Sequence, residues 1–170
     1  VVWEEKRQFK CLMARVFVGG VPVLLVKPQT FMNLSGESVA PAVKYHNCTA
    51  ADLIVVQDDI DLAAGRLRIR KGGSCGGHNG VRNIIERIGT QDFVRVKSGV
   101  GKDRANVIGH VLGKFSPAMR RMMDETVAAA AAAADNEELN INNVGRNFPS
   151  DFFISRSKDS RIFILTLTEI

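Results

Sequence analysis

Four groups of residues in this sequence have types and spacings that could do chemistry. The first is acidic: Asp58, Asp59 and Asp61 directly follow the apolar run Leu53-Ile54-Val55-Val56. Carboxylates at the end of a buried strand stand where open α/β sheets gather their sites. They could orient a base or hold a hard cation such as Mg²⁺. They could equally cap the next turn, which aspartate does well. The second group is Lys71-Gly72-Gly73-Ser74-Cys75-Gly76-Gly77-His78-Asn79-Gly80. So much glycine lets backbone and ligand approach closely. His78 and Asn79 stand just before a helix, whose first N–H groups accept phosphate or carboxylate. The competing reading is a flexible loop with a capping Asn79. Cys75 and His78 have a spacing seen in zinc sites, but a second pair is missing. The third group is Arg66-Leu67-Arg68-Ile69-Arg70. On a strand, alternate residues share a face at about 6.5–7 Å, so these arginines make a basic row. That row could track phosphates or simply protect an edge strand. The fourth is Asn33 beside Phe31 and Met32, an amide able to hold a water or a carbonyl.

These residues need elements to position them. Cys11–Val18 and Val21–Val26, separated by Gly19-Gly20, predict a β-hairpin. Pro28 halts the second strand. Ser35 predicts a capped helix to about Asn47, with Val39, Ala42 and Val43 inward and Pro41 as a kink. Leu53–Val56 predicts a central strand covered on both faces. Arg66–Lys71 and Phe93–Val100 predict two more strands. Val81–Ile88, ended by Gly89, predicts a helix. Ser116-Pro117 opens a long helix through the alanine run 128–134, and Arg161–Ile170 alternates like a strand. His46 and His110 read as surface or structural. The alternation of strands and helices predicts an α/β fold. It is a single domain with a twisted mixed β-sheet flanked by helices, over residues 1–140, followed by a tail over residues 141–170.

Composition narrows the class. The 170 residues are 45% hydrophobic and 24% charged, ordinary for a globular protein. No apolar run approaches the roughly 18 residues of a spanning helix, and the first residues have no signal-peptide pattern. Lys and Arg total 23 against 18 Asp and Glu, for a net charge of +5. That excess favours a polyanionic partner without requiring one. Cys11, Cys48 and Cys75 are odd in number and widely spaced, which suits a reducing compartment.

The motifs coincide in order and spacing. Lys27-Pro28-Gln29-Thr30-Phe31-Met32-Asn33-Leu34-Ser35-Gly36, Asp58-Asp59-Ile60-Asp61-Leu62, Gly76-Gly77-His78-Asn79-Gly80 and Gly109-His110-Val111-Leu112-Gly113-Lys114-Phe115 together resemble the bacterial-type peptidyl-tRNA hydrolases. The resemblance runs from about Leu12 to Pro117. It implies hydrolysis of the ester joining a peptide to the 3′ end of tRNA, with no metal or organic cofactor. It implies that Asn33 contacts the substrate and helps hold the attacking water, with Phe31 and Met32 lining the site. It implies that Asp58 orients the catalytic histidine, and that His78 and Asn79 bind substrate, with Asn79 a donor to the oxyanion. Arg68, Arg70, Arg95 and Lys97 fall where the family binds tRNA. The expected partner is peptidyl-tRNA, met by a monomer with no membrane attachment. The expected compartment is the cytoplasm, or a mitochondrion or plastid if a targeting segment precedes these residues.

One departure carries weight. The family opens with a strand, a Gly-Asn-Pro-Gly turn and a helix bearing a His-Asn pair, whose histidine is the general base. Val1–Val26 resembles the segment after that region, so the base is expected outside this sequence. His78 matches a different family position. Two expectations follow: residues 1–170 alone hydrolyse little, and a sheet without that strand exposes raw backbone edges. The alternative is an inactive homologue acting as an RNA-binding or splicing-partner module, as in chloroplast relatives of the family.

Overall fold

The alternating residues after Lys10 and the β-branched run after Val21 pair as expected. A computed structural model describes residues 1–18, 21–63, 66–99 and 101, and the strand Ile162–Thr166. A short edge strand β1 (Glu4–Lys6) and a 3-10 turn lead into the hairpin β2 (Cys11–Val18) and β3 (Val21–Pro28). The hairpin register runs from Cys11 opposite Pro28 to Val18 opposite Val21. A 3-10 turn (Met32–Leu34) and helix α1 (Ser35–Tyr45) follow. Ser35 is not the cap: its hydroxyl donates to the Met32 carbonyl at 2.7 Å, and Leu34 takes the cap position. Pro41 lies inside the helix, on an exposed position.

Strand β4 (Leu53–Asp59) is the interior strand its composition predicts, and Leu53 through Asp58 are all buried. Strand β5 (Leu67–Lys71) leads through the glycine-rich loop to helix α2 (Asn79–Ile88), which ends at Gly89 in the left-handed region, φ 83°. Strand β6 (Val94–Gly99) follows, and β7 (Ile162–Thr166) is the last described element. The sheet order is β1-β2-β3-β7-β4-β6-β5. β7 runs parallel to both β3 and β4, so a strand from the tail lies between them and pairs with the inner edge of each. β6 is parallel to β4 and antiparallel to the edge strand β5. Mixed pairing is what a hairpin followed by crossover helices produces.

Val39, Ala42 and Val43 of α1 and Val81 and Ile84 of α2 close one core with Phe9, Cys11, Met13, Leu24, Val26, Leu53, Val55 and Phe93. Each such large side chain contributes about 1.5–3 kcal/mol on full burial. The helices touch closely where Gly36 donates its N–H to Asn83 Oδ1 at 2.8 Å. A Cβ at Gly36 would collide with the Asn83 carbonyl, so this contact requires glycine. The expected helix from Ser116 through the alanine run, and the stretch around His110, lie outside the described residues. Among the described residues, no helix is long and apolar enough to cross a membrane.

Candidate active site

Three segments meet at the carboxyl end of the parallel strands: the end of β4, the turn after β3, and the start of α2. Asp58 is the penultimate residue of β4, with its side chain 7% exposed. The β5–α2 loop brings His78 to it, and His78 Nε2 lies 3.3 Å from Asp58 Oδ1. The turn after β3 packs against the same helix start. A Cβ at Gly80 would lie 2.9 Å from the Met32 carbonyl oxygen, so only glycine admits this approach. Phe31 is 80% exposed beside that turn, and Asn33 and Asn79 are both exposed. The motifs around Asn33, Asp58 and His78-Asn79, far apart in sequence, thus face one region.

The hydrogen bonds of His78 define its chemistry. His78 is the N-cap of α2, and its Nδ1 accepts the Val81 N–H at 3.3 Å. With Nδ1 accepting, the proton of the neutral ring sits on Nε2 and is donated to Asp58. Both ring nitrogens are then engaged, and no lone pair remains to take a proton from water. Asp58 still has acceptor capacity, because a carboxylate carries about four lone-pair sites. Histidine as a cap has no local signature in the sequence, where only the competing reading of the loop gave a capping role, and gave it to Asn79.

The three aspartates divide their work. Asp59 accepts from the Asp61 N–H at 2.9 Å and from Lys97 Nζ at 3.0 Å, so it both closes the turn and forms an ion pair. Burial pushes its carboxyl up, but the hydrogen bond from Lys97 and the N–H groups of Asp61 and Leu62 outweigh this and hold it below its ordinary value. Asp58 alone reaches His78. Among the described residues, no group of three or more His, Cys, Asp or Glu could hold a metal ion. Cys75 is half-buried; the Gly77 N–H, then Arg82, lower its thiol pKa. His46 packs against Tyr45 and Phe9, with ring centroids 5.1 and 6.2 Å apart.

The basic residues separate. Arg68 and Arg70 are exposed along β5, and Arg66 is exposed just before it. Arg68 lies opposite Lys97, and Arg70 opposite Arg95, on the neighbouring strand. Lys97 keeps 19% exposure beside Asp59. Arg95 corrects the sequence expectation: it is 1% exposed, and its guanidinium donates to the carbonyls of Gly72, Gly73 and Ser74. The glycine-rich loop folds over it, so this side chain is out of reach of a tRNA phosphate.

Known proteins share this fold. A family model described as peptidyl-tRNA hydrolase matches residues 1–148. A peptidyl-tRNA hydrolase of Dehalococcoides mccartyi is 48% identical over 127 residues, 70% of this chain and 67% of the relative. One from Clostridium acetobutylicum is 44% identical over 123 residues, 72% of this chain and 66% of the relative. The crystal structure of the peptidyl-tRNA hydrolase from Acinetobacter baumannii superposes with a TM-score of 0.69 at 30% identity, covering 78% of this chain and 71% of that one. Residues that lie apart in the sequence but meet at one end of the sheet are thus set in a framework common to these proteins, and the chain belongs to the peptidyl-tRNA hydrolase family.

Proposed function

We propose that this protein hydrolyses the ester between the peptide and the terminal ribose of peptidyl-tRNA, as a monomer in the compartment of translation. The observation that carries the reading is the Asp58–His78 contact of 3.3 Å, formed where the three family motifs meet. In this reaction, water attacks the ester carbonyl carbon as a base takes its proton. The tetrahedral oxyanion collapses, the ribose oxygen leaves with a proton, and a peptide carboxylate and free tRNA remain. Asn33 orients the water and Asn79 donates to the oxyanion, both through amides that add no charge. Such donors are most effective when held in place before the charge develops.

The base is the histidine that the family carries in its N-terminal segment. Asp58 fixes that ring and stabilises its protonated form, as the carboxylate of a catalytic triad does. His78 supports this arrangement, since its Nε2–H occupies one lone pair of Asp58 and holds the carboxylate in place. Arg68, Arg70 and Lys97 bind tRNA phosphates.

The test is release of peptide from peptidyl-tRNA by the full-length gene product and its Asp58→Asn variant. The amide still accepts from His78 but cannot stabilise an imidazolium. We expect kcat to fall by up to about 10²–10⁴-fold, the usual span of acid–base catalysis, with tRNA affinity and Tm nearly unchanged. An unchanged kcat with a lowered Tm would reduce Asp58 to a turn residue. Retained tRNA binding without peptide release by the wild-type protein would instead select an RNA-binding module.

A further inference from the structure

We propose that Arg95 is a positioning residue of the hydrolytic site, acting through the glycine-rich loop on His78 and Asn79; this rests on the reading of the site given above. Arg95 sits on the interior strand β6, in register with Val55 on one side and Arg70 on the other. Its Nη1 donates to the Ser74 carbonyl at 2.5 Å, and its Nη2 donates to the carbonyls of Gly72 and Gly73. Its carbon Cζ lies 5.6 Å from the Phe93 ring centroid, a cation–π distance. The buried charge is thus compensated by three carbonyl dipoles and an aromatic face. Among the described residues its Nε has no hydrogen-bond partner.

A buried charge is a costly device for holding a loop, so its position calls for a reason. The loop supplies one. Gly72, Gly73, Gly76 and Gly77 all have positive φ, between 56° and 96°. Such glycines permit the path but do not fix it, because glycine has the largest backbone freedom to lose. The Gly72 N–H is tied to the Phe93 carbonyl at 3.0 Å, and the His78 N–H to the Cys75 carbonyl at 3.0 Å. Between these ties, Arg95 gathers three successive carbonyls. A planar fork with fixed donor directions does this; an ammonium, a point donor on a flexible stem, does not. The loop ends at His78 and Asn79, so the height of its carbonyls over β6 sets where the imidazole meets Asp58 and where the Asn79 amide stands.

The test compares wild type with Arg95→Met and Arg95→Lys. Methionine fills the volume without a charge but leaves the carbonyls of Gly72, Gly73 and Ser74 without their donor, so Arg95→Met is expected to lose some stability. The first readout is the NMR signals of the His78 imidazole carbon-bound protons and of the Asn79 side-chain amide, which need no turnover. We expect both to shift in Arg95→Met and to return part of the way in Arg95→Lys. The second readout is kinetics on peptidyl-tRNA. Small misplacements of reacting groups cost up to about 10²-fold, so we expect kcat to fall by about that factor with KM nearly unchanged. If Arg95→Met does not fold, Arg95→Lys carries both readouts. An unchanged His78 signal in a folded variant overturns the proposal. So does a raised KM with a flatter salt dependence and unaltered kcat, which would make Arg95 a phosphate ligand. Should the wild type not hydrolyse peptidyl-tRNA, the functional reading fails while the His78 signal still decides the role of Arg95.

Discussion

Asp59 illustrates how a single residue's surroundings set its charge. Burial disfavours its carboxylate, while Lys97 and the turn N–H groups favour it, and the net result lies below the ordinary value of 3.8. A depressed folded-state pKa means that the interaction stabilises the fold above the unfolded value. That stability is lost as pH falls through the lower folded value, so the pair matters from neutral pH down to below about pH 4. Lys97→Met removes the largest favourable contribution and leaves burial less opposed. The Asp59 midpoint, followed by NMR, is expected to rise, and acid unfolding to begin at higher pH. An unmoved midpoint would assign the depression to the Asp61 and Leu62 N–H groups alone.

At the level of an element, α2 depends on how it begins. His78 caps it through Val81 and also contacts Asp58, so one side chain joins a helix terminus to the candidate site. Removing an N-cap costs about 1 kcal/mol, and a buried acceptor left without its partner costs about 1–3 kcal/mol. His78→Ala is therefore expected to lower unfolding stability by about 2–4 kcal/mol by denaturant titration. His78→Asn restores the cap but is too short to reach Asp58, so it should recover about 1 kcal/mol of that loss. Equal losses in the two variants would show that the cap contributes nothing and that the Asp58 contact accounts for the whole effect.

For the molecule as a whole, the proposed function assigns binding and chemistry to different parts of the sheet. Its edge strand β5 carries the exposed Arg68 and Arg70, with Lys97 opposite Arg68, while Asp58 and His78 lie at the end of the interior strands. Phosphates bound at that edge interact equally in the ground and transition states, so they belong in KM. Replacing Arg68 and Arg70 by Ala should raise KM for all peptidyl-tRNAs alike and leave kcat nearly unchanged. The slope of log affinity against log salt should fall by about 1 per arginine. A short peptidyl ester without the tRNA body should be hydrolysed at the unaltered rate. If that small substrate loses as much rate as the full one, the two arginines belong to the site or to the fold.

Local pattern was enough for the elements whose partners lie close in sequence. The β2–β3 hairpin, the buried strand β4 and the Gly89 end of α2 follow from alternation, apolar runs and a glycine stop, all short-range properties of the backbone. The motifs around Asn33, Asp58, His78 and Asn79 were legible only through their resemblance to a known family, since no local property of the backbone says that segments so far apart in sequence lie together. Long-range decisions were not. Alternation marked residues 161–170 as a strand, but a period of two names no partner, and only the fold places β7 between β3 and β4, both of them more than a hundred residues earlier in the chain. The capping of α2 by His78 depended on Asp58 and Val81 arriving together. Arg95 makes the point most sharply. The family resemblance sets it with Arg70 among the tRNA-binding residues, and the fold pairs the two in register on neighbouring strands. Only the folding of the glycine-rich loop over β6 leaves one guanidinium in water and turns the other into the support of three carbonyls, because burial is a property of what covers a residue and not of its own strand.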